Sequence, residues 1–155
     1  MSTVETRTDD VIYYDHTRPD FEQPGFRRGN AGFVIPDRQW GFTGTVVVEI
    51  PPNALHALEE HGVVAELNAL EFQTDPIAPG RDAVLRPFAL DDASHILYEA
   101  DRKTYGRTWE FVVGRRGGCE YRIVIDNRGY QRTLSQLQFL VTSAGRQGLG
   151  VRIRL

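Results

Sequence analysis

Arg115 and Arg116 stand in the stretch GRRGG, and Arg128 and Arg132 stand in NRGYQR with Tyr130 between them. A guanidinium fork pairs a phosphate or carboxylate through two parallel bonds, and an aromatic ring gives a base or headgroup a face to stack on. Arginines carried on turns project into solvent, so these five residues form the candidate contact for an anion or a protein partner. Solvated turns are the ordinary alternative. The pI of about 5.8 is low for a nucleic-acid domain and argues against nucleic acid as the partner.

Other groups with chemical potential have less support from their spacing. His56 and His61 lie five apart, whereas two ligands on one helical face lie four apart, and Glu59 and Glu60 do not stand in the order of a helical zinc motif. Asp91, Asp92 and His95 in one segment and Asp75 and Asp82 in another offer oxygen ligands for calcium, without the ordered acid ladder of a helix-loop-helix site. A sugar-binding site would use the same acids. Cys119 follows Gly117 and Gly118 close to Arg115 and Arg116, but no histidine is near it in sequence to act as base, and a lone cysteine at a strand start reads as a small packed residue. No catalytic set is complete, and no cofactor or metal site is expected.

Composition sets the frame for these residues. A chain of 155 residues with 41% hydrophobic and 25% charged residues fits one soluble globular domain. The net charge of -3 hides a segregation: residues 1–100 carry 7 Arg against 17 acids, and residues 101–155 carry 10 Arg and 1 Lys against 4 acids. Charges divided in this way can steer an anionic partner or neutralise one another across neighbouring strands. The 17 Arg against 1 Lys suggests GC-rich coding and a bacterial source. A single cysteine excludes an oxidised scaffold, and the N-terminus MSTVETRTDD has neither the basic start nor the apolar run of a secretory signal, so a cytoplasmic address is expected. No apolar run approaches the roughly 18 residues of a membrane span.

The elements that must position the candidate residues read mainly as strands. VIYYD (11–15), TGTVVVEI (43–50), AVLRPF (83–88), HILYEA (95–100), TWEFVV (108–113) and CEYRIVIDN (119–127) are β-prone, and Pro87 marks an edge. In TWEFVV and CEYRIVIDN, Trp109, Phe111 and Val113 share one face and Tyr121, Ile123 and Ile125 share another, which predicts a hairpin over GRRGG. Leu137, Phe139 and Val141 alternate with glutamines as a further strand, and GLGVRIRL places Val151, Ile153 and Leu155 inward with Arg152 and Arg154 outward. One short helix is expected over ALHALEEH (54–61), capped by Asn53 and ended by Gly62. Residues 63–73 fit either a strand or a helix, with turn signals on both sides favouring the strand.

Residues 1–42 read as an N-terminal arm, rich in Pro, Gly and Arg from His16 onward, whose aromatics Phe21, Phe26, Phe33, Trp40 and Phe42 follow no helical or strand period. Such a segment needs a surface to cover, either its own sheet or that of a neighbouring subunit. Together these readings predict a single mainly β domain over residues 1–155, an antiparallel β-sandwich or jelly roll of seven to eight strands with one short helix.

The run CEYRIVIDNRGYQRTLSQLQFLV (119–141) resembles the last hairpin of the Golgi dynamics (GOLD) domain, with Tyr121 in a strand and Asp126-Asn127 at its end. GOLD domains are β-sandwiches that bind proteins and sometimes membranes, so the resemblance implies a sandwich and an adaptor. The alternating strands, the aromatic arm in need of a surface and the lack of a complete catalytic set predict a noncatalytic interaction module that binds a protein or self-associates into a homo-oligomer. A β-barrel or sandwich enclosing a pocket for a small hydrophobic molecule or an enzymatic substrate is the second reading, and a glycan-binding lectin-like domain is the third.

Overall fold

The structure, a computed structural model, describes residues 10–13, 27–37, 41–44, 46–70, 76–103 and 108–155. The fold is mixed α and β, which corrects the expected β-sandwich. Its elements run β1 (Asp10–Tyr13), β2 (Gly29–Asp37), β3 (Gly41–Gly44), β4 (Val48–Ile50), α1 (Pro52–Glu60), α2 (Val63–Asn68), β5 (Asp82–Leu85), α3 (Leu90–Arg102), β6 (Thr108–Arg116), β7 (Cys119–Asp126), α4 (Asn127–Gln147) and β8 (Gly150–Arg154). A 3-10 turn over Pro87–Ala89 leads into α3.

The strands form two sheets rather than two layers of a sandwich. In the first, β1 lies parallel to β7 and β6 antiparallel to it, giving the order β1-β7-β6. In the second, all antiparallel, the order is β3-β2-β8-β5, with β4 also pairing β2. β3 and β4 share one side of β2, and the pairing shifts by one residue between Val34↔Gly44 and Ala31↔Val48, so the two are halves of one interrupted strand. TGTVVVEI was read as continuous, and the interruption leaves Val46 and Val47 exposed. Gly29 is required where β2 meets β8, because a Cβ there would stand 2.6 Å from the Arg154 carbonyl oxygen.

Within the stretch read as a covering arm, Gly29–Asp37 is a strand inside the sheet, hydrogen-bonded on both sides. Phe33 in that strand is half-buried against the core. Phe42 lies in β3, and its side chain is outside the described residues, as are Phe21, Phe26 and Trp40 altogether. β1, the β6-β7 hairpin, β5 as a sheet edge, α1 and β8 stand where the sequence placed them. Val151, Ile153 and Leu155 are buried, with Arg154 outward and Arg152 half-buried on the opposite face.

Three expected strands are helices. Residues 63–68 form α2, fixed by the Asn68 side chain, which accepts from the Ile77 N–H at 2.7 Å and donates to the Ile77 carbonyl at 3.1 Å. HILYEA lies in α3, whose first turn holds Asp91 and Asp92, acids that favour the positive end of a helix dipole. Residues 127–147 form the long helix α4, with Tyr130, Thr133, Leu134, Leu137, Leu140, Val141 and Ala144 buried. These follow the 3.6-residue period across about four turns, whereas the alternation of Leu137, Phe139 and Val141 spans only five residues and leaves Phe139 71% exposed. The resemblance at 119–141 thus rests on a strand followed by a helix, not on a hairpin.

α4 ends at Gly148, at φ 68°, with the Leu149 N–H bonded to the Ala144 carbonyl and the Gly148 N–H to Gly145. This left-handed cap satisfies the last carbonyls and turns the chain directly into β8. α1 also ends at a left-handed glycine, Gly62 at φ 80°, whose N–H bonds to the Glu59 carbonyl, but the chain enters α2 rather than a strand. The core lies between the inner face of the five-stranded sheet and the helices, and α4 touches both sheets. Among the described residues no helix is long and apolar enough to cross a membrane.

Candidate functional site

Local pairing in the three-stranded sheet collects charges on its outward face. β6 and β7 are joined by Gly117 and Gly118, both at positive φ (58° and 79°), the two-residue turn that suits the twist of a hairpin. Side chains alternate along β7, so Tyr121 and Ile123 point to the core and Glu120, Arg122 and Val124 point away from it. A bulge at Val113 inserts one residue in β6: Val112 pairs with Arg122, but Gly114 pairs with Tyr121. The extra residue brings Arg115 opposite Glu120; without it Arg115 would pair with Cys119 and point to the other face.

The result is a chain of charged hydrogen bonds across all three strands. Arg115 donates to Glu120 at 2.9 Å, and Arg122 donates to Glu120 through Nε at 2.7 Å. Arg122 also donates to Glu110 at 3.0 Å, and the Tyr13 hydroxyl from β1 donates to the other oxygen of Glu110 at 3.0 Å. Glu120 is 5% exposed on an outward sheet face. Its carboxyl is held below the usual carboxylate range, first by the Arg122 bond and then by Arg115. Tyr13 is pushed up, because ionising its phenol would lose the bond to Glu110 and bring two anions together. Arg122 is raised by its two carboxylate partners, Glu120 first.

Apolar side chains surround this network. Val11, Tyr13, Val112 and Val124 are 43%, 49%, 46% and 41% exposed, and the strand registers put all four on the face that carries Glu120 and Arg122. The face therefore has an electrically balanced centre, two arginines and two glutamates, within an apolar border.

The five predicted contact residues do not form one patch on two hairpin turns. Arg115 and Arg116 end β6 at the hairpin tip, both exposed, and Arg115 is engaged by Glu120. Arg128 and Arg132 are exposed on the first two turns of α4. Tyr130 between them is 2% exposed, its ring 5.2 Å from that of His61, so it is a core residue rather than a contact. Helical spacing separates it from Arg128 and Arg132, which sequence adjacency had grouped with it.

Arg132 lines a cleft of about 520 Å³ with Arg28, Glu49, Pro51, Pro52, Asn53, Gly129, Thr133 and Gln136. Among the metal candidates, Asp82 is engaged by Arg152 at 3.2 Å and Arg154 at 3.6 Å, Asp91 and Asp92 are exposed on α3, and Asp75 lies outside the described residues. Among the described residues no group of three or more His, Cys, Asp or Glu is placed to hold a metal. His56 stands 3.9 Å from Glu59, which accepts from Arg27 at 2.6 Å, and burial holds His61 below its usual range. Cys119 is half-buried at the start of β7.

Sequence reasoning missed Glu110, Glu120, Arg122 and Tyr13 as a set. Period-two alternation in CEYRIVIDN already puts Glu120 and Arg122 on the wet face, but their partners depend on the bulge and on the parallel strand β1. The chain matches no protein-family model, and comparisons with characterised proteins and with solved structures give no match.

Proposed function

We propose that the protein is a noncatalytic interaction module that self-associates through the outward face of its three-stranded sheet. The carrying observation is the exposure of Val11, Tyr13, Val112 and Val124 on one face around the Glu110, Arg115, Glu120 and Arg122 network. Clustered exposed apolar side chains with polar surroundings are what interaction surfaces present. The partner is a second copy. The four charges sum to zero, so the face prefers neither an acidic nor a basic partner, and two such faces related by a two-fold axis can meet without like-charge repulsion. Glu120 and Arg122 already satisfy one another, which removes part of the cost of covering them.

Sedimentation velocity tests this reading on the wild type and on Val112→Lys and Val124→Lys, positions exposed enough for the variants to fold. A wild-type dimer and monomeric variants with unchanged circular dichroism are expected. A wild type that stays monomeric at high micromolar concentration sinks the proposal. So does a dimer that both substitutions leave intact.

A further inference from the structure

The cleft between the start of α1 and the first turns of α4 holds opposite charges that do not meet. Arg132 and Glu49 both line it, and neither has an ion-pair or hydrogen-bond partner among the described residues. Thr133, which carries a hydroxyl, also stands in its wall.

The N-terminus of α1 contributes little to anion binding here. Pro52 has no N–H, the Ala54 N–H is bonded to Asn53 Oδ1 at 3.0 Å, and the Leu55 N–H is bonded to the Pro51 carbonyl at 2.9 Å. Recognition of an anion falls to the Arg132 fork and the Thr133 hydroxyl, with Arg28 adding positive charge to the same wall. Glu49 supplies the opposite pole. A volume of about 520 Å³ suits a small molecule.

We propose that this cleft binds a small zwitterion, a carboxylate or phosphate at one end facing Arg132 and Thr133 and an ammonium at the other facing Glu49. A ligand of this kind pairs both charges at once, which neither acetate nor an amine alone can do. The site lies apart from the sheet face, so its failure leaves the self-association reading untouched.

Amide NMR titrations of the full chain test it with phosphoethanolamine and β-alanine as zwitterions, and acetate, inorganic phosphate and ethanolamine as single-charge controls. At least one zwitterion is expected to shift the amides of Asn53, Arg132 and Thr133, saturably and more tightly than the controls. Arg132→Gln and Thr133→Val should each weaken that binding, the first by on the order of tenfold, the loss of a charge-assisted hydrogen bond. Glu49→Gln should weaken the zwitterion and leave phosphate or acetate unchanged or tighter. Two results overturn the proposal: no localised shift with either zwitterion at about 10 mM, well above a millimolar Kd, or zwitterion binding that Glu49→Gln does not change.

Discussion

Glu120 accepts a hydrogen bond from Arg122 Nε at 2.7 Å and lies 2.6 Å from Nη2 of the same guanidinium, although the two residues are only two apart on one strand. Residues two apart on a strand share a face, so the Arg122 fork folds back along β7 over its neighbour while its remaining nitrogen reaches Glu110 on β6. Arg122 thus ties two strands together from the middle one, and the carboxylate beneath it is nearly closed to solvent.

Acid should unfasten this network before it affects the core. Glu120 has its carboxyl below the ordinary value of 4.5, so in the folded state it resists protonation that the unfolded chain accepts. The stability it contributes is fully present above about pH 4.5 and is lost as pH falls through the lower folded-state value. Urea midpoints measured across the acid range should fall below pH 4.5, and Glu120→Gln should flatten that fall.

His61 predicts a second slope at higher pH. Burial favours its neutral form, opposed by the nearby charge of Glu60, so the folded state binds its proton less tightly than the unfolded chain does. Stability is fully present above about pH 6.5 and declines as pH drops through the depressed folded-state value. His61→Phe, which keeps a ring against Tyr130, should remove the slope. A proton titration of the imidazole by NMR should show its midpoint below 6.5.

Two adjacent residues on α4 distinguish helix from strand. Phe139 is 71% exposed and Leu140 is fully buried, the reverse of what an inward Phe139 on a strand would require. Phe139→Ser should change stability by no more than about 0.5 kcal/mol, as exposed substitutions do. Leu140→Ala should cost about 2–5 kcal/mol by opening a cavity. Equilibrium urea denaturation of both variants is sufficient.

Two glycines should respond in opposite directions to alanine. Gly29→Ala places a methyl 2.6 Å from the Arg154 carbonyl oxygen and must move backbone in the centre of the five-stranded sheet, so a lower melting temperature is expected. Gly145 lies near the end of α4 with nothing within 4 Å of its added Cβ. Gly145→Ala should stabilise the protein by about 0.5–1 kcal/mol through helix propensity and a less flexible unfolded chain.

The amino-acid order by itself determined the short-range features. Gly117 and Gly118 between two β-prone runs specify the hairpin, Gly62 ends a helix, and the alternation of Val151, Ile153 and Leu155 with Arg152 and Arg154 specifies a strand with one buried face. Each signal acts between near neighbours, through φ preferences or a repeat of two, and so survives without knowledge of the rest of the fold. Residues 63–68, 90–102 and 127–147 were decided by tertiary packing. Their apolar residues fit a period of two over a short window and 3.6 over a longer one, and only a sheet face available to cover a helical stripe selects the second. The same applies to function. Arg132 was visible as an exposed cation, but Glu49 and Thr133 join it only because α1 and α4 meet beside β4. Arg115 faces Glu120 only because one extra residue at Val113 reverses the parity of its strand.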